Sequence, residues 1–283
     1  MLCTMKELLE QAARRNAAVG AFSAYTMEAV KGIVQAAEQT QTPAILQIAE
    51  SRFPYAPFEL MAPMMVNAAK KASVPVAVHL DHGQHLETVQ RALELGFTSV
   101  MIDGSRLPLE DNIRLTLKAK ELAAARGATL EAEIGRVGGD EGMGQVRDSC
   151  TRPEEALAFW RQTGVDALAV AIGNAHGNYR FAPELQFDIL EKIRNTVGCP
   201  LVLHGGTGIS FADFRRTIEL GVRKINIATA LLDAQREAAR DCLKEGGSPS
   251  YFEVSERMTQ AVAQTVARHI GVFNNREPLS AIE

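Results

Sequence analysis

Eight short apolar runs, each followed by a stretch with helical periodicity, constrain the fold of this chain more than any single motif does. The runs fall at residues 18–25, 43–49, 74–81, 99–103, 128–134, 167–172, 200–204 and 224–229. Helical patterns occupy residues 26–39, 57–73, 85–95, 108–126, 153–163, 183–197, 210–220 and 230–245. Thr4 can cap a further helix reaching about residue 15, and another is expected over 251–269. Continuous apolar strands alternating with helices imply parallel strands covered by those helices. Eight such units in about 250 residues predict an α/β fold, a closed (β/α)8 TIM barrel with extra N-terminal and C-terminal helices. An open doubly wound sheet is the alternative arrangement of the same units. No break is long or polar enough to act as a linker, so residues 1–283 read as one domain.

Composition narrows the function classes. The chain is 46% hydrophobic and 23% charged, well able to bury a core. A net charge of −4 without a dense Lys/Arg run gives no reason to expect nucleic acid as a partner. Cys3, Cys150, Cys199 and Cys242 stand far apart without a C-x-x-C pair, which suits reduced thiols in a cytoplasmic protein. Residues 1–16 read as a polar amphipathic helix rather than a signal peptide, and no apolar stretch approaches the ~20 residues that span a bilayer. A soluble protein is expected.

Barrel sites lie at the carboxyl ends of the strands, and there the sequence becomes polar abruptly. The third run reads Val-Ala-Val-His-Leu-Asp-His-Gly at 76–83, so an apolar strand ends in His79, Asp81 and His82. Unpaired charges at a strand end carry a desolvation cost, which points to a site rather than to packing. His176 follows the sixth run within Gly-Asn-Ala-His-Gly, and His204 ends the seventh within His-Gly-Gly-Thr-Gly. Singly, each histidine also reads as a hydrogen-bonded core or loop residue. His82, His176 and His204 together around one mouth, each near a glycine, match three neutral imidazoles with an open fourth position, a catalytic zinc site. Asp103 and Glu133, ending the fourth and fifth runs, would orient an imidazole or serve as further ligands; simple strand-end capping is the alternative. His79, on the same strand face as Asp81, is expected to support the site, and His85 and His269 to be structural.

Two Gly- or Thr-bearing turns, at 205–210 and 226–229, precede helices after the last two strands. Barrels commonly hold phosphate there, on backbone N–H groups and helix amino termini. Lysines other than Lys224 fall on helices, and Lys224 is expected to begin the eighth strand at the rim opposite the site. No lysine is thus placed for Schiff-base chemistry, and carbonyl activation would fall to the metal. The Gly-rich stretch 135–144 reads as a lid carrying Asp140 and Glu141, or as a solvated acidic loop.

These residues resemble the class II, metal-dependent fructose/tagatose-bisphosphate aldolases, nearer the tagatose-type branch. The motifs are His-Leu-Asp-His (79–82), Met-Ile-Asp-Gly-Ser (101–105), Glu-Ala-Glu-Ile-Gly (131–135), Ala-Val-Ala-Ile-Gly-Asn-Ala-His-Gly (169–177), Leu-His-Gly-Gly-Thr-Gly (203–208) and Lys-Ile-Asn-Ile-Ala-Thr (224–229). The resemblance implies reversible cleavage of a ketose 1,6-bisphosphate to dihydroxyacetone phosphate and an aldehyde such as glyceraldehyde 3-phosphate. It implies Zn2+ on His82, His176 and His204, with Asp81 as acid/base at the C4 hydroxyl. Gly177, Gly205, Gly206, Thr207, Asn226, Ile227, Ala228 and Thr229 would hold the triose phosphate, and Glu141 would move the proton at its C3. A Na+ or K+ ion near the phosphate is common in the family, as are homodimers and homotetramers. Ser23, Ala49 and Ala228 depart from the fructose-type pattern and bear on the aldehyde half. A sibling aldolase acting on another ketose 1-phosphate or a deoxyketogluconate phosphate, or a non-catalytic barrel subunit of such an aldolase, are the alternatives. Arg52, Arg106 and Arg276 are the basic residues considered for a second phosphate.

Overall fold

In the computed structural model, which describes residues 1–135, 137, 150–179, 183–245 and 248–275, eight parallel strands pair in chain order and close on themselves. They are β1 (Val19–Ser23), β2 (Ala44–Ala49), β3 (Val76–Gly83), β4 (Ser99–Ile102), β5 (Thr129–Ile134), β6 (Ala167–Val170), β7 (Leu201–Leu203) and β8 (Val222–Ile227). The seam pairs Val19 with Lys224 and Ala21 with Asn226, so the closed barrel replaces the open-sheet alternative. Closure leaves no unpaired sheet edge.

Period-two alternation sorts the strand residues between two cores. Outward residues such as Phe22, Leu46, Val78 and Ile102 pack under the surrounding helices in one large cluster. Inward residues at the amino ends of the strands are small or apolar: Val19, Ala21, Ile45, Ala77, Ala167, Ala169 and Val202. These pack against helix α1 (Met5–Arg14), whose buried Met5, Leu8, Leu9 and Ala12 recur at helical spacing. The expected cap is present: Thr4 Oγ1 accepts from the Glu7 amide while the Glu7 carboxylate accepts from the Thr4 amide. A reciprocal cap of this kind fixes where the helix starts, and α1 therefore closes the amino end of the barrel. At the carboxyl end of the chain, α10 (Tyr251–Phe273) runs beyond the expected residue 269 and packs on α2 (Met27–Gln39) and α9 (Thr229–Lys244).

One boundary is corrected. Strand β8 starts at Val222, two residues before the expected 224, so Lys224 lies inside the strand rather than at the rim. It is fully buried in the barrel interior. No disulfide joins the four cysteines, and among the described residues no helix is long and apolar enough to cross a membrane.

Candidate metal centre

The site begins with a departure from strand alternation. His79 and Asp81 face the barrel interior, so regular alternation would send His82 outward beneath the helices. Instead His82 adopts a left-handed backbone (φ +45°), and the pairing of β3 with β4 shifts register between Leu80 and Gly83. A left-handed conformation costs a non-glycine residue about 1–2 kcal/mol. The irregularity turns His82 to the mouth, so that adjacent residues Asp81 and His82 line one cavity.

There His82 Nε2 lies 3.2 Å from His176 Nε2 and 2.9 Å from His204 Nδ1. On their far sides, two of the rings are held by carboxylates: His82 Nδ1 donates to Asp103 Oδ2 at 2.8 Å, and His204 Nε2 to Glu131 Oε1 at 2.8 Å. Carboxylates accept only, so each of these two rings carries a proton on its far nitrogen, and a cation that displaces the proton between the near nitrogens would meet their lone pairs in the shared space. A tetrahedral ion with Zn–N bonds of about 2.0–2.1 Å needs nitrogens about 3.3 Å apart. The donor set therefore fits a zinc-type ion.

Glu133 strengthens the fit. Its buried Oε2 has no hydrogen-bond partner, yet lies 3.3 Å from His204 Nδ1 and 3.9 Å from His82 Nδ1. Burial, reinforced by the nearby Asp103 charge, pushes its carboxyl up to about 8. Burial disfavours charge on His82, but Asp81, the Asp103 hydrogen bond and Glu133 outweigh it and lift the imidazole to about 10. His204 goes the other way, held well below its usual range by burial and by His82 and Lys224. Despite burial, the hydrogen bond and charge of His82 hold Asp103 well below the usual carboxylate range. The interior thus asks for positive charge at the imidazole cluster, which a divalent cation would supply. His82, Asp103 and Glu133 form a second group with ligand atoms all within 4.8 Å of one another.

The cavity, about 520 Å³, has two chemically different walls. On the side of β6–β8 it is lined by Gly177, Gly205, Gly206, Thr207, Asn226, Ala228 and Thr229, with the amino end of α9 at Thr229. Gly205 has φ +63°, and a Cβ there would collide with the Ala175 carbonyl, so only glycine lets the two loops approach. Tyr179 Oη joins them, donating to the Gly205 carbonyl and accepting from the Ala175 amide. Asn174 accepts from the Ile172 amide and donates to the His204 carbonyl, tying the His176 loop to β7. Thr207 Oγ1 accepts from the Ala230 amide, capping α9. The opposite wall carries Tyr25, Ser51, Arg52, Ser105 and Arg106.

Of the residues expected to hold the triose phosphate, Ile227 is the exception. It is fully buried, packs in the outer core and does not line the cavity. Alternation already carried the signal, because Asn226 faces inward and its neighbour must face outward. Glu141 and Asp140 lie outside the described residues, as does Arg276. His79 sits below the mouth, 2.7 Å from Ser99 Oγ and 3.6 Å from Glu131 Oε2. His85 Nδ1 bonds Glu50 Oε1 and His269 Nδ1 donates to the Thr265 carbonyl, and neither imidazole lines the cavity.

The sequence reading gives no role at the site to Gln47, Glu131 or Lys224. Gln47 Nε2 donates to Asp81 Oδ2 and Ser23 Oγ, each at 3.1 Å. The signal was a polar residue at an inward position of an otherwise apolar strand, and two glutamates spaced i, i+2 on β5.

A model of the class-II fructose-bisphosphate aldolase family matches residues 3–277. Fructose-bisphosphate aldolase of Geobacillus stearothermophilus is 42% identical over 249 residues, 86% of each chain. Sulfofructosephosphate aldolase of Alkalicoccus urumqiensis is 38% identical over 276 residues, 95% of this chain and 96% of that protein. The crystal structure of the YdjI aldolase from Escherichia coli K12 superposes with a TM-score of 0.88 at 34% identity, covering 96% of this chain and 97% of that one. The chain belongs to the class-II fructose-bisphosphate aldolase family.

Proposed function

We propose that this protein is a metal-dependent aldolase, cleaving a tagatose- or fructose-type ketose 1,6-bisphosphate reversibly to dihydroxyacetone phosphate and glyceraldehyde 3-phosphate. The observation that carries this reading is the convergence of His82 Nε2 and His176 Nε2, in the cavity that Asp81 also lines, on Nδ1 of the fully buried His204. These three imidazoles would hold the ion, with Glu133 and Asp103 as a further ligand and an orienting group. A divalent ion bound there supplies Lewis-acid polarisation of the substrate carbonyl and a sink for developing negative charge.

Asp81 takes the proton from the C4 hydroxyl as the C3–C4 bond breaks. Its carboxylate is aimed by Asn226 Nδ2 at 3.0 Å and Gln47 Nε2 at 3.1 Å. Gly177, Gly205, Gly206, Thr207, Asn226, Ala228 and Thr229 cradle the C1 phosphate, helped by the positive end of the α9 dipole. Glu141 gives its own proton to C3 of the triose, and exchange with solvent returns Asp81 and Glu141 to their starting states. Arg52 and Arg106, across the cavity, meet the anionic group at the far end of the sugar.

The names of the Geobacillus and Alkalicoccus relatives support a phosphorylated ketose as substrate. The second of them favours one further reading, a ketose 1-phosphate whose far end carries a different anion. The test is to incubate the zinc-loaded protein with a panel of ketose phosphates, with and without chelator, and to measure triose phosphate release. Chelator-sensitive release from one C4 epimer is expected. Release that survives full metal removal would refute the metal role, and no release from any substrate would favour a non-catalytic subunit.

A further inference from the structure

Beneath the imidazole cluster lies a lysine–glutamate ion pair that the mechanism above does not use. Glu131 Oε2 and Lys224 Nζ are 2.9 Å apart, and both side chains are wholly buried inside the barrel. Neighbouring inward positions hold Ala77, Ala169 and Val202, so an apolar filling is available to this interior. Two charges there lose their hydration, and apolar replacements of similar volume commonly serve stability as well. Packing alone therefore does not account for the pair.

Its connections do. Glu131 Oε1 accepts from His204 Nε2 at 2.8 Å, while Lys224 Nζ donates to Asn226 Oδ1 at 2.8 Å. Asn226 Nδ2 in turn donates to Asp81 Oδ1 at 3.0 Å. Every residue of this series is buried. Chemistry fixes its polarity at two points. An ammonium only donates, so Asn226 must turn its oxygen to Lys224 and its NH2 to Asp81. A carboxylate only accepts, so His204 must carry its proton on Nε2 and leave Nδ1 bare toward the cluster. Without Lys224 the Asn226 amide has no fixed sense; without Glu131 the His204 ring has no fixed tautomer.

We propose that Glu131 and Lys224 are a paired positioning device, setting the tautomer of His204 for the metal and the orientation of Asn226, and through it Asp81, for proton transfer. This rests on the metal-aldolase reading for its kinetic part alone. The structural part is tested on the metal-free wild type with 15N-labelled histidine. Nε2–H is the expected tautomer of His204, and an Nδ1–H tautomer would sink the proposal without any variant.

The second test uses Glu131→Leu/Lys224→Met, which leaves a neutral apolar pair. Zinc affinity, read by competition with a chelator, should fall about 10–100-fold, as loss of a partner behind a ligand commonly does. At saturating zinc, kcat per bound zinc should fall about 100-fold with KM held within about 3-fold, the signature of a misplaced acid/base. A folded double variant with wild-type zinc affinity and wild-type kcat would overturn the proposal, because a purely structural pair moves neither. If the double variant does not fold, the wild-type tautomer decides. A wild type that takes up zinc but cleaves no ketose phosphate refutes the aldolase reading instead, leaving the tautomer and zinc-affinity measurements valid.

Discussion

Two layers of the same barrel interior are built on different principles. The lower layer, closed by α1, is made of Ala21, Ile45, Ala77, Ala169 and Val202 against Met5, Leu8 and Leu9. Further along the barrel, the upper layer holds Gln47 on β2, His79 and then Asp81 on β3, His204 just past β7 and Asn226 on β8, with Lys224 one inward position below Asn226, level with Val19 and Val202. Both layers are buried. The lower one is held by contact area and shape, at roughly 1.5–3 kcal/mol per buried large side chain. The upper one is held by pairwise satisfaction of donors and acceptors, where a group left alone costs more than its bond contributes. The difference separates what holds the protein together from what gives it an activity, and substitutions should divide the same way.

The sharpest division is expected at His82. Replacing it with glycine removes a proposed ligand but relieves the left-handed backbone. Turnover and zinc content should collapse, by at least about 10³-fold in rate, while the unfolding midpoint stays level or rises. A midpoint that falls steeply alongside activity would mean that the imidazole also holds the fold, and would blur the two layers. Asp81→Asn should lower kcat about 10²–10⁴-fold with zinc content unchanged. Loss of zinc in that variant would instead make Asp81 a ligand.

In the lower layer the order reverses. Leu8→Ala, at a residue 1% exposed, should cost about 2–5 kcal/mol in chemical denaturation, with KM and kcat per folded molecule unchanged. A large kinetic effect there would show that the floor of the barrel transmits strain to the mouth. Smallest is Thr4→Ala, which removes half of the reciprocal cap of α1. About 1 kcal/mol of stability should be lost, without effect on zinc content or rate.

How far the chain announces all this depends on which physical signal each feature leaves. The helix start at Thr4 rests on a local hydrogen-bonded pattern, and residues 153–163 match the observed α6 (Pro153–Thr163) because Pro at the first helical position and Gly164 just after the end mark both limits. Polar groups at the ends of apolar strands likewise stand out, so His82, His176, His204, Asp103 and Glu133 could be found before any coordinates. Lys224 was misplaced because a two-residue shift in the start of β8 keeps its face but changes its depth, and depth leaves no trace in a period of two.

By itself the sequence determined the number and order of the strands, the barrel, and the residue types gathered at its mouth, since hydrophobic periodicity and strand-end polarity are local. Only the tertiary structure decided that His82 turns inward against alternation, that Lys224 and Glu131 meet inside the barrel, and that their contacts reach His204 and Asp81. Those facts depend on register, on one left-handed residue and on hydrogen bonds between strands far apart in the chain, none of which a linear pattern encodes.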